Sequence, residues 1–103
     1  MSDTTRLAFL AALEGIIDAR LSGAAPEQSY TARLAQKGIV KVAQKVGEEG
    51  LELALAAAAE GDERVTSEAA DLLYHLLLLL RIRGLRLDDA IAELERRHAA
   101  ARR

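Results

Sequence analysis

The chain has 103 residues and a net charge of −2, which fits one domain with a modest core and offers no basic surface for nucleic acid. It contains no cysteine, which excludes disulfides, thiol catalysis and cysteine-type zinc sites. The N-terminus does not resemble a signal peptide, and the longest apolar run, residues 76–80, is too short to cross a bilayer. We therefore expect one domain over residues 1–103, located in the cytoplasm, with no nucleic-acid or membrane partner.

Strong helix formers, a single proline and very few aromatic residues predict an all-α fold. The first helix is predicted from a cap at Asp3 or Thr4 to about Ser22, and a short helix capped by Ser29 ends before Gly38. The apolar residues that share the inner face of the first helix are Leu7, Leu10, Leu13, Ile17 and Leu21.

A long acidic helix is predicted over residues 39–60, followed by a turn at Gly61 and Asp62. The next helix is apolar on nearly every side and ends at Gly84, and a last helix begins at Leu87. Because a helix that is apolar all round must be covered, we expect a four- to five-helix bundle completed by homo-oligomerisation. The expected assembly is a homodimer or a dimer of dimers.

Acidic side chains fall on facing sides of these two long helices. At about 100° per residue, the acidic helix carries on one arc Lys41, Lys45, Glu48, Glu49 and Glu52. The apolar helix places on one face Glu68, Asp71 and His75. Counting outward from the turn puts Glu52 level with Asp71, and Glu48 level with His75. The spacing therefore predicts a group of carboxylates between two antiparallel helices.

Carboxylates crowded in a poorly solvated groove repel one another unless they take up protons or bind a cation. Their hard oxygen ligands suit Mg²⁺, with Mn²⁺ as a possible substitute. Lys41 and Lys45 share the arc, and Lys37 lies just upstream. Ammonium groups that can bind phosphate therefore lie beside carboxylates that can bind a metal. This combination predicts metal-assisted hydrolysis of a nucleoside polyphosphate.

Other interpretations of the same residues remain open. The acids and lysines can instead form interhelical salt bridges in a non-enzymatic dimerisation module. A di-iron bundle is disfavoured, because it requires Glu-x-x-His pairs and this chain spaces Asp71 and His75 one residue too far apart. Gly47 and Gly50 indicate close approach of either a neighbouring helix or a ligand. His98 is expected on the surface.

Three motifs occurring in order closely resemble those of the phosphoribosyl-ATP pyrophosphatase family of histidine biosynthesis. They are Ser-Tyr-Thr-Ala-Arg-Leu at 29–34, Gln-Lys-Val-Gly-Glu-Glu-Gly-Leu-Glu at 44–52 and Glu-Ala-Ala-Asp-Leu-Leu-Tyr-His at 68–75. The Glu-x-x-Glu and Glu-x-x-Asp pairs alone indicate only the wider MazG-like nucleotide pyrophosphohydrolases, and their contexts narrow the resemblance. Arg33 and Ala35 differ from the residues that the family pattern has at these positions, and neither position lies within the acidic motifs.

The resemblance implies Mg²⁺-dependent hydrolysis of phosphoribosyl-ATP to phosphoribosyl-AMP and pyrophosphate. The metal ligands that it implies are Glu48, Glu49, Glu52, Glu68 and Asp71, with Glu48 or Glu49 as the catalytic residue that holds the attacking water. The substrate-binding residues that it implies are Tyr30, Thr31, Arg33, Lys37, Lys41, Lys45 and His75. The short chain without cysteine looks like the stand-alone form rather than a fusion to the next enzyme. A pyrophosphohydrolase for another nucleoside triphosphate is the alternative enzyme.

Overall fold

Six α-helices and one 3₁₀ turn make up the computed structural model, which describes residues 2–101. In chain order they are α1 (Asp3–Leu7), α2 (Phe9–Gly23), the 3₁₀ turn (Pro26–Gln28), α3 (Tyr30–Gln36), α4 (Ile39–Ala59), α5 (Asp62–Ile82) and α6 (Leu87–Ala101). No strand occurs within residues 2–101, and the predicted all-α fold is confirmed.

The N-terminal helix differs from its prediction in two respects. Ser2 caps it, because the Ser2 side chain accepts a hydrogen bond from the Thr5 backbone N–H, so the expected cap at Asp3 or Thr4 is wrong. The helix is also interrupted at Ala8, which separates α1 from α2. Leu7 therefore lies outside the inner face on which it was predicted, and it is 66% exposed.

The ends of the other helices follow the sequence closely. Ser29 caps α3 by accepting a hydrogen bond from the Ala32 backbone N–H, as predicted. Gly38 and Gly84 have φ of 98° and 78°, values that favour glycine, and each stands at a helix boundary.

Helices α4 and α5 form an antiparallel hairpin joined by a turn at Glu60 and Gly61, and α2 and α3 pack against it. The core where they meet consists of Ile17, Leu34, Val42, Leu77 and Leu78. Partly buried side chains around this core include Leu10, Leu13 and Leu21 from α2. The core therefore fixes the long hairpin along one side only.

Polar contacts from α2 hold the segment between α5 and α6. Arg81 donates through Nε to Asp18 at 2.7 Å and through Nη1 to the Leu85 carbonyl at 3.0 Å. The buried Glu14 accepts a hydrogen bond of 2.8 Å from the Leu87 backbone N–H at the start of α6. These contacts fix where α6 begins.

The apolar helix α5 is buried on one side only in the single chain. Leu77 and Leu78 are fully buried, whereas Leu73 is 42% exposed. The expectation that α5 is buried all round therefore holds only for the side that faces α2 and α4. Within residues 2–101, no helix combines the length and the apolar character needed to cross a membrane.

Candidate active site

Three carboxylates converge between α4 and α5. Glu49 of α4 and Glu68 and Asp71 of α5 each place one carboxylate oxygen within 4.8 Å of the other two. Ligand oxygens around an octahedral Mg²⁺ lie about 3.0–4.2 Å apart, given metal–oxygen distances of roughly 2.1 Å. The three side chains, which we call the acid cluster, are therefore close enough to share one cation after small rotations.

The acid cluster also contains polar atoms that the protein leaves without a partner. Glu49 and Glu68 are 5% and 3% exposed. The Oε2 atom of each is buried and accepts no hydrogen bond from residues 2–101. A buried, unpartnered carboxylate oxygen is costly, and a divalent cation is a group that would compensate it. The donor set, all hard oxygens, fits Mg²⁺ or Mn²⁺.

Two basic side chains of the same helices partly neutralise these acids. Lys45 Nζ lies 3.3 Å from Glu49 Oε1, and Arg64 Nη2 lies 2.8 Å from Glu68 Oε1, each one turn along its helix. The contact with Glu49 raises the pKa of Lys45, which keeps the ammonium group charged. Burial, followed by the adjacent Glu52 carboxyl, raises the pKa of Glu68 despite Arg64.

The facing pairs of carboxylates differ from those predicted by counting. Glu49, not Glu52, shares the acid cluster with Asp71, and Glu52 instead lies beside Glu68. The prediction is wrong by about one helical turn. Most of the difference arises because α4 ends at Ala59 and α5 begins at Asp62, so the turn comes one residue earlier than assumed and shifts the facing pairs by two residues.

Lysine side chains line a cavity next to the acid cluster. Its volume is about 220 Å³, and its lining comprises Tyr30, Leu34, Lys37, Lys41, Gln44, Lys45 and Glu48. Lys45 therefore belongs to both sites, since it lines this lysine cavity and contacts Glu49 of the acid cluster. Glu48 lies on the cavity side and outside the three clustered acids. Whether Glu48 and Glu52 bind metal stays a prediction.

His75 and Tyr30 connect the cavity to the acid cluster. Tyr30 Oη lies 2.7 Å from His75 Nε2, and His75 Nδ1 lies 2.7 Å from the Asp71 carbonyl oxygen. The Tyr30 and His75 rings meet edge to face with centroids 5.7 Å apart. Burial raises the pKa of Tyr30, so its hydroxyl stays protonated.

Thr31 and Arg33, like His75, were predicted to bind substrate but do not line the cavity. Thr31 is only 1% exposed, and its hydroxyl is hydrogen-bonded to the hydroxyl of Tyr74. Arg33 donates to the Pro26 carbonyl at 3.2 Å and is exposed. Both contacts hold α3 in place, and direct substrate contact by either residue stays a prediction. His98 is exposed, as expected.

The two glycines of α4 are not explained by packing within the chain. A Cβ atom at Gly47 or Gly50 would meet no other atom within 4 Å in residues 2–101. Of the two interpretations of these glycines, tight packing inside one chain is therefore excluded for the described residues. The explanation that remains for these two glycines is the close approach of a ligand or of a second copy of the chain.

Sequence analysis missed Arg64 as a member of the site. Its guanidinium is the basic group closest to Glu68 among the ion pairs of residues 2–101, and it lies 57% exposed at the edge of the acid cluster. The spacing of four residues between Arg64 and Glu68 on a predicted helix was the signal that could have found it.

Replacing Arg64 by glutamine is expected to destabilise the metal-free protein by about 1 kcal/mol, a value kept low because the guanidinium is exposed. The loss should shrink when Mg²⁺ is added, since the cation replaces the missing positive charge. Urea unfolding in EDTA and in Mg²⁺ measures both effects. Arg83→Gln, at the other end of α5, is the matched control, and an equal loss in both variants would contradict this role of Arg64.

The all-helical fold, with its acid cluster between α4 and α5, is consistent with the all-α, MazG-like pyrophosphohydrolases. A profile of the phosphoribosyl-ATP pyrophosphohydrolase family matches residues 10–98. The chain belongs to this family, and the resemblance found in its motifs is confirmed.

Individual relatives agree with the profile. The chain is 58% identical over 89 residues to the phosphoribosyl-ATP pyrophosphatase of Pyrobaculum islandicum, a stretch that covers 86% of this chain and 94% of the relative. The corresponding protein of Pyrobaculum calidifontis is 58% identical over 85 residues, covering 82% and 89%. The histidine biosynthesis bifunctional protein HisIE of Xanthomonas campestris is 53% identical over 90 residues, covering 87% of this chain and 43% of the relative. The chain thus spans less than half of the bifunctional protein.

Proposed function

We propose that this chain hydrolyses phosphoribosyl-ATP to phosphoribosyl-AMP and pyrophosphate, the second step of histidine biosynthesis, and depends on Mg²⁺ or, as a substitute, Mn²⁺. The observation that carries the proposal is the acid cluster of Glu49, Glu68 and Asp71 directly beside the lysine cavity. The two Pyrobaculum relatives support this choice of substrate, since both are named phosphoribosyl-ATP pyrophosphatases. A cytoplasmic location belongs to the same proposal.

In this mechanism the acid cluster holds the metal and the lysines hold phosphate. When bound, Mg²⁺ supplies neutralisation of the charge that develops on the leaving pyrophosphate and favours ionisation of water. Lys37, Lys41 and Lys45 line the adjacent cavity, where their ammonium groups bind phosphate oxygens of the substrate and help to position it. Glu48 lines the cavity, which supports it as the carboxylate that holds the attacking water and accepts its proton. Glu49 is the alternative.

The proposal is tested by incubating the protein with phosphoribosyl-ATP and Mg²⁺ and following the release of pyrophosphate and phosphoribosyl-AMP. Turnover that requires the divalent ion is the expected result. Faster turnover of dUTP or another noncanonical triphosphate would replace this substrate with that of the alternative enzyme. No turnover of any nucleotide, in a folded protein with Mg²⁺, would favour the non-enzymatic dimerisation module.

A homodimer, or a dimer of dimers, is part of the same proposal. Exposed apolar side chains on one side of α4 support it, namely Val40, Leu51 and Leu55 at 77%, 61% and 58% exposed. The radius of gyration, 15.4 Å, exceeds the roughly 13 Å typical of a compact chain of this length, which leaves the hairpin open to a second copy. Gly47 shares this side of α4 and would allow a second helix to approach closely.

Replacing Leu51 and Leu55 together by glutamate should convert the assembly to monomers, because two charges would have to be buried at the contact. Light scattering after gel filtration measures the mass, which is 11.1 kDa for one chain. Leu94→Glu on α6, a residue as exposed as Leu51, is the control that should leave the assembly intact. Unmodified protein that runs as a monomer at micromolar concentration would contradict the proposal.

A further inference from the structure

The contacts of His75 determine which of its nitrogens carries the proton. The ring is buried, at 6% exposed, and each nitrogen has one partner at 2.7 Å. The partner of Nδ1 is the Asp71 carbonyl oxygen, which can only accept a hydrogen bond. Nδ1 must therefore carry the hydrogen, and in the neutral ring Nε2 is left as an acceptor.

The direction of the Tyr30–His75 hydrogen bond follows from the position of the proton on His75. Because Nε2 accepts, the Tyr30 hydroxyl must donate its only proton to His75. The Tyr30 side chain is 43% exposed and lines the lysine cavity, and its hydroxyl oxygen keeps a lone pair that can accept a second hydrogen bond. Burial raises the pKa of Tyr30, which agrees with a protonated hydroxyl in this role.

A Tyr30 oxygen that can only accept a hydrogen bond prefers some groups of a phosphorylated ligand to others. Phosphate monoesters are mostly doubly ionised at neutral pH and act as hydrogen-bond acceptors, so an accepting Tyr30 oxygen does not attract them, whereas the lysines that line the same cavity do. A sugar hydroxyl next to the phosphate is a donor and does match the tyrosine oxygen. The cavity volume of about 220 Å³ lies below the roughly 300–1,000 Å³ of pockets that enclose a whole drug-sized ligand, so it fits a fragment such as a phosphorylated pentose.

We propose that Tyr30 is a specificity-determining residue that accepts a hydrogen bond from a ribose hydroxyl of the substrate, and that His75 is the positioning residue that fixes this polarity. The proposal rests on the proposed function for the substrate, phosphoribosyl-ATP, and places a phosphorylated ribose of that substrate in the lysine cavity. It assigns the lysines to the phosphate and Tyr30 to the sugar that bears it. The hydrogen bonds run from Tyr30 through His75 to the backbone carbonyl of Asp71, whose carboxylate belongs to the acid cluster.

The first experiment observes the His75 ring directly. Long-range proton–nitrogen correlation spectra report which nitrogen of each histidine carries the hydrogen, and the chain has only two histidines. His98→Gln assigns the His75 signals. The expected result is a protonated Nδ1 and a bare Nε2, with the Nε2 signal shifted by Tyr30→Phe. Hydrogen on Nε2 in the free protein at neutral pH would overturn the proposal.

The second experiment compares the binding of ribose 5-phosphate with that of methyl phosphate, which has no hydroxyl group, by calorimetry. Tyr30→Phe should weaken ribose 5-phosphate binding about three- to tenfold, the usual effect of one hydrogen bond, and leave methyl phosphate binding unchanged. Tyr74→Phe is the matched control, since Tyr74 is the other tyrosine and its hydroxyl is bonded to Thr31. Equal loss for both probes, or no loss for either, would overturn the proposal.

His75→Phe tests the positioning role, because it keeps a ring in place and removes the acceptor. It frees the Tyr30 proton, which can then be donated to a phosphate oxygen, so the preference for ribose 5-phosphate over methyl phosphate should fall. In the Tyr30→Phe background, which has no hydroxyl to orient, His75→Phe should cause no further loss of this preference. Additive losses would overturn the role of His75. A protein that keeps this preference but does not hydrolyse phosphoribosyl-ATP would contradict the proposed function alone, whereas turnover without the preference would contradict the Tyr30 proposal alone.

Discussion

Replacing Glu49 by glutamine, or Asp71 by asparagine, is expected to lower the rate of pyrophosphate release about a hundredfold or more. Each change removes one negative oxygen from the acid cluster at almost constant shape. Stabilisation of developing charge by a bound metal is worth several kcal/mol, and each 1.36 kcal/mol is tenfold in rate. Initial rates of pyrophosphate release at saturating Mg²⁺ provide the measurement.

Folding must be shown to survive these changes. Glu49→Gln also removes a buried charge and its ion pair with Lys45, so circular dichroism and a melting curve without metal are needed to show that each variant is folded. Glu95→Gln on α6 removes the same charge from an exposed position and should leave the rate unchanged. If a folded Glu49 or Asp71 variant turned over at the original rate, the acid cluster would not be the catalytic site.

Adding Mg²⁺ is expected to raise the melting temperature by about 10 °C at a hundredfold excess over its dissociation constant. Such an excess stabilises the native state by about 2.7 kcal/mol, and 1 kcal/mol moves the melting temperature of a domain of this size by about 4 °C or more. The physical reason is relief of repulsion among Glu49, Glu68 and Asp71. Melting curves in EDTA and in Mg²⁺, at matched ionic strength, measure the shift.

Glu68→Gln separates binding at the acid cluster from general effects of the salt. It removes one ligand and one source of repulsion, so the variant should melt at nearly the same temperature with and without Mg²⁺. Glu63→Gln, in the first turn of the same helix, is the control that should keep the full shift. Identical melting curves of the original protein in EDTA and in Mg²⁺ would contradict a metal site here.

Local signals in the sequence were sufficient to predict most of the helices. The cap at Ser29 and the stops at Gly38 and Gly84 are set by contacts within a few residues, and each was placed correctly. Periodicity also placed the acids of α4 and α5 on facing sides, because it fixes the direction of each side chain around its helix. The interruption at Ala8 was missed, since nothing in the local sequence forces a break there.

Contacts between distant residues were the part that the sequence could not supply. Pairing Glu49 with Asp71 required the position of the turn to within one residue, and helix ends are the least certain part of a sequence-based prediction. The hydrogen bonds of Thr31 with Tyr74 and of Tyr30 with His75 join residues more than forty positions apart. Such contacts depend on how α3 packs against α5, which no pattern within either helix specifies.

The basic residues that accompany the acids have a consequence for how the hairpin forms. Lys45 and Arg64 reach Glu49 and Glu68 from one turn away on the same helix, so each ion pair exists as soon as its own helix does. Two helices that carry these pairs meet with less mutual repulsion than bare acids would cause. The chain is therefore expected to fold in a solution without divalent ions, so that the metal of the proposed function would bind to an already formed hairpin.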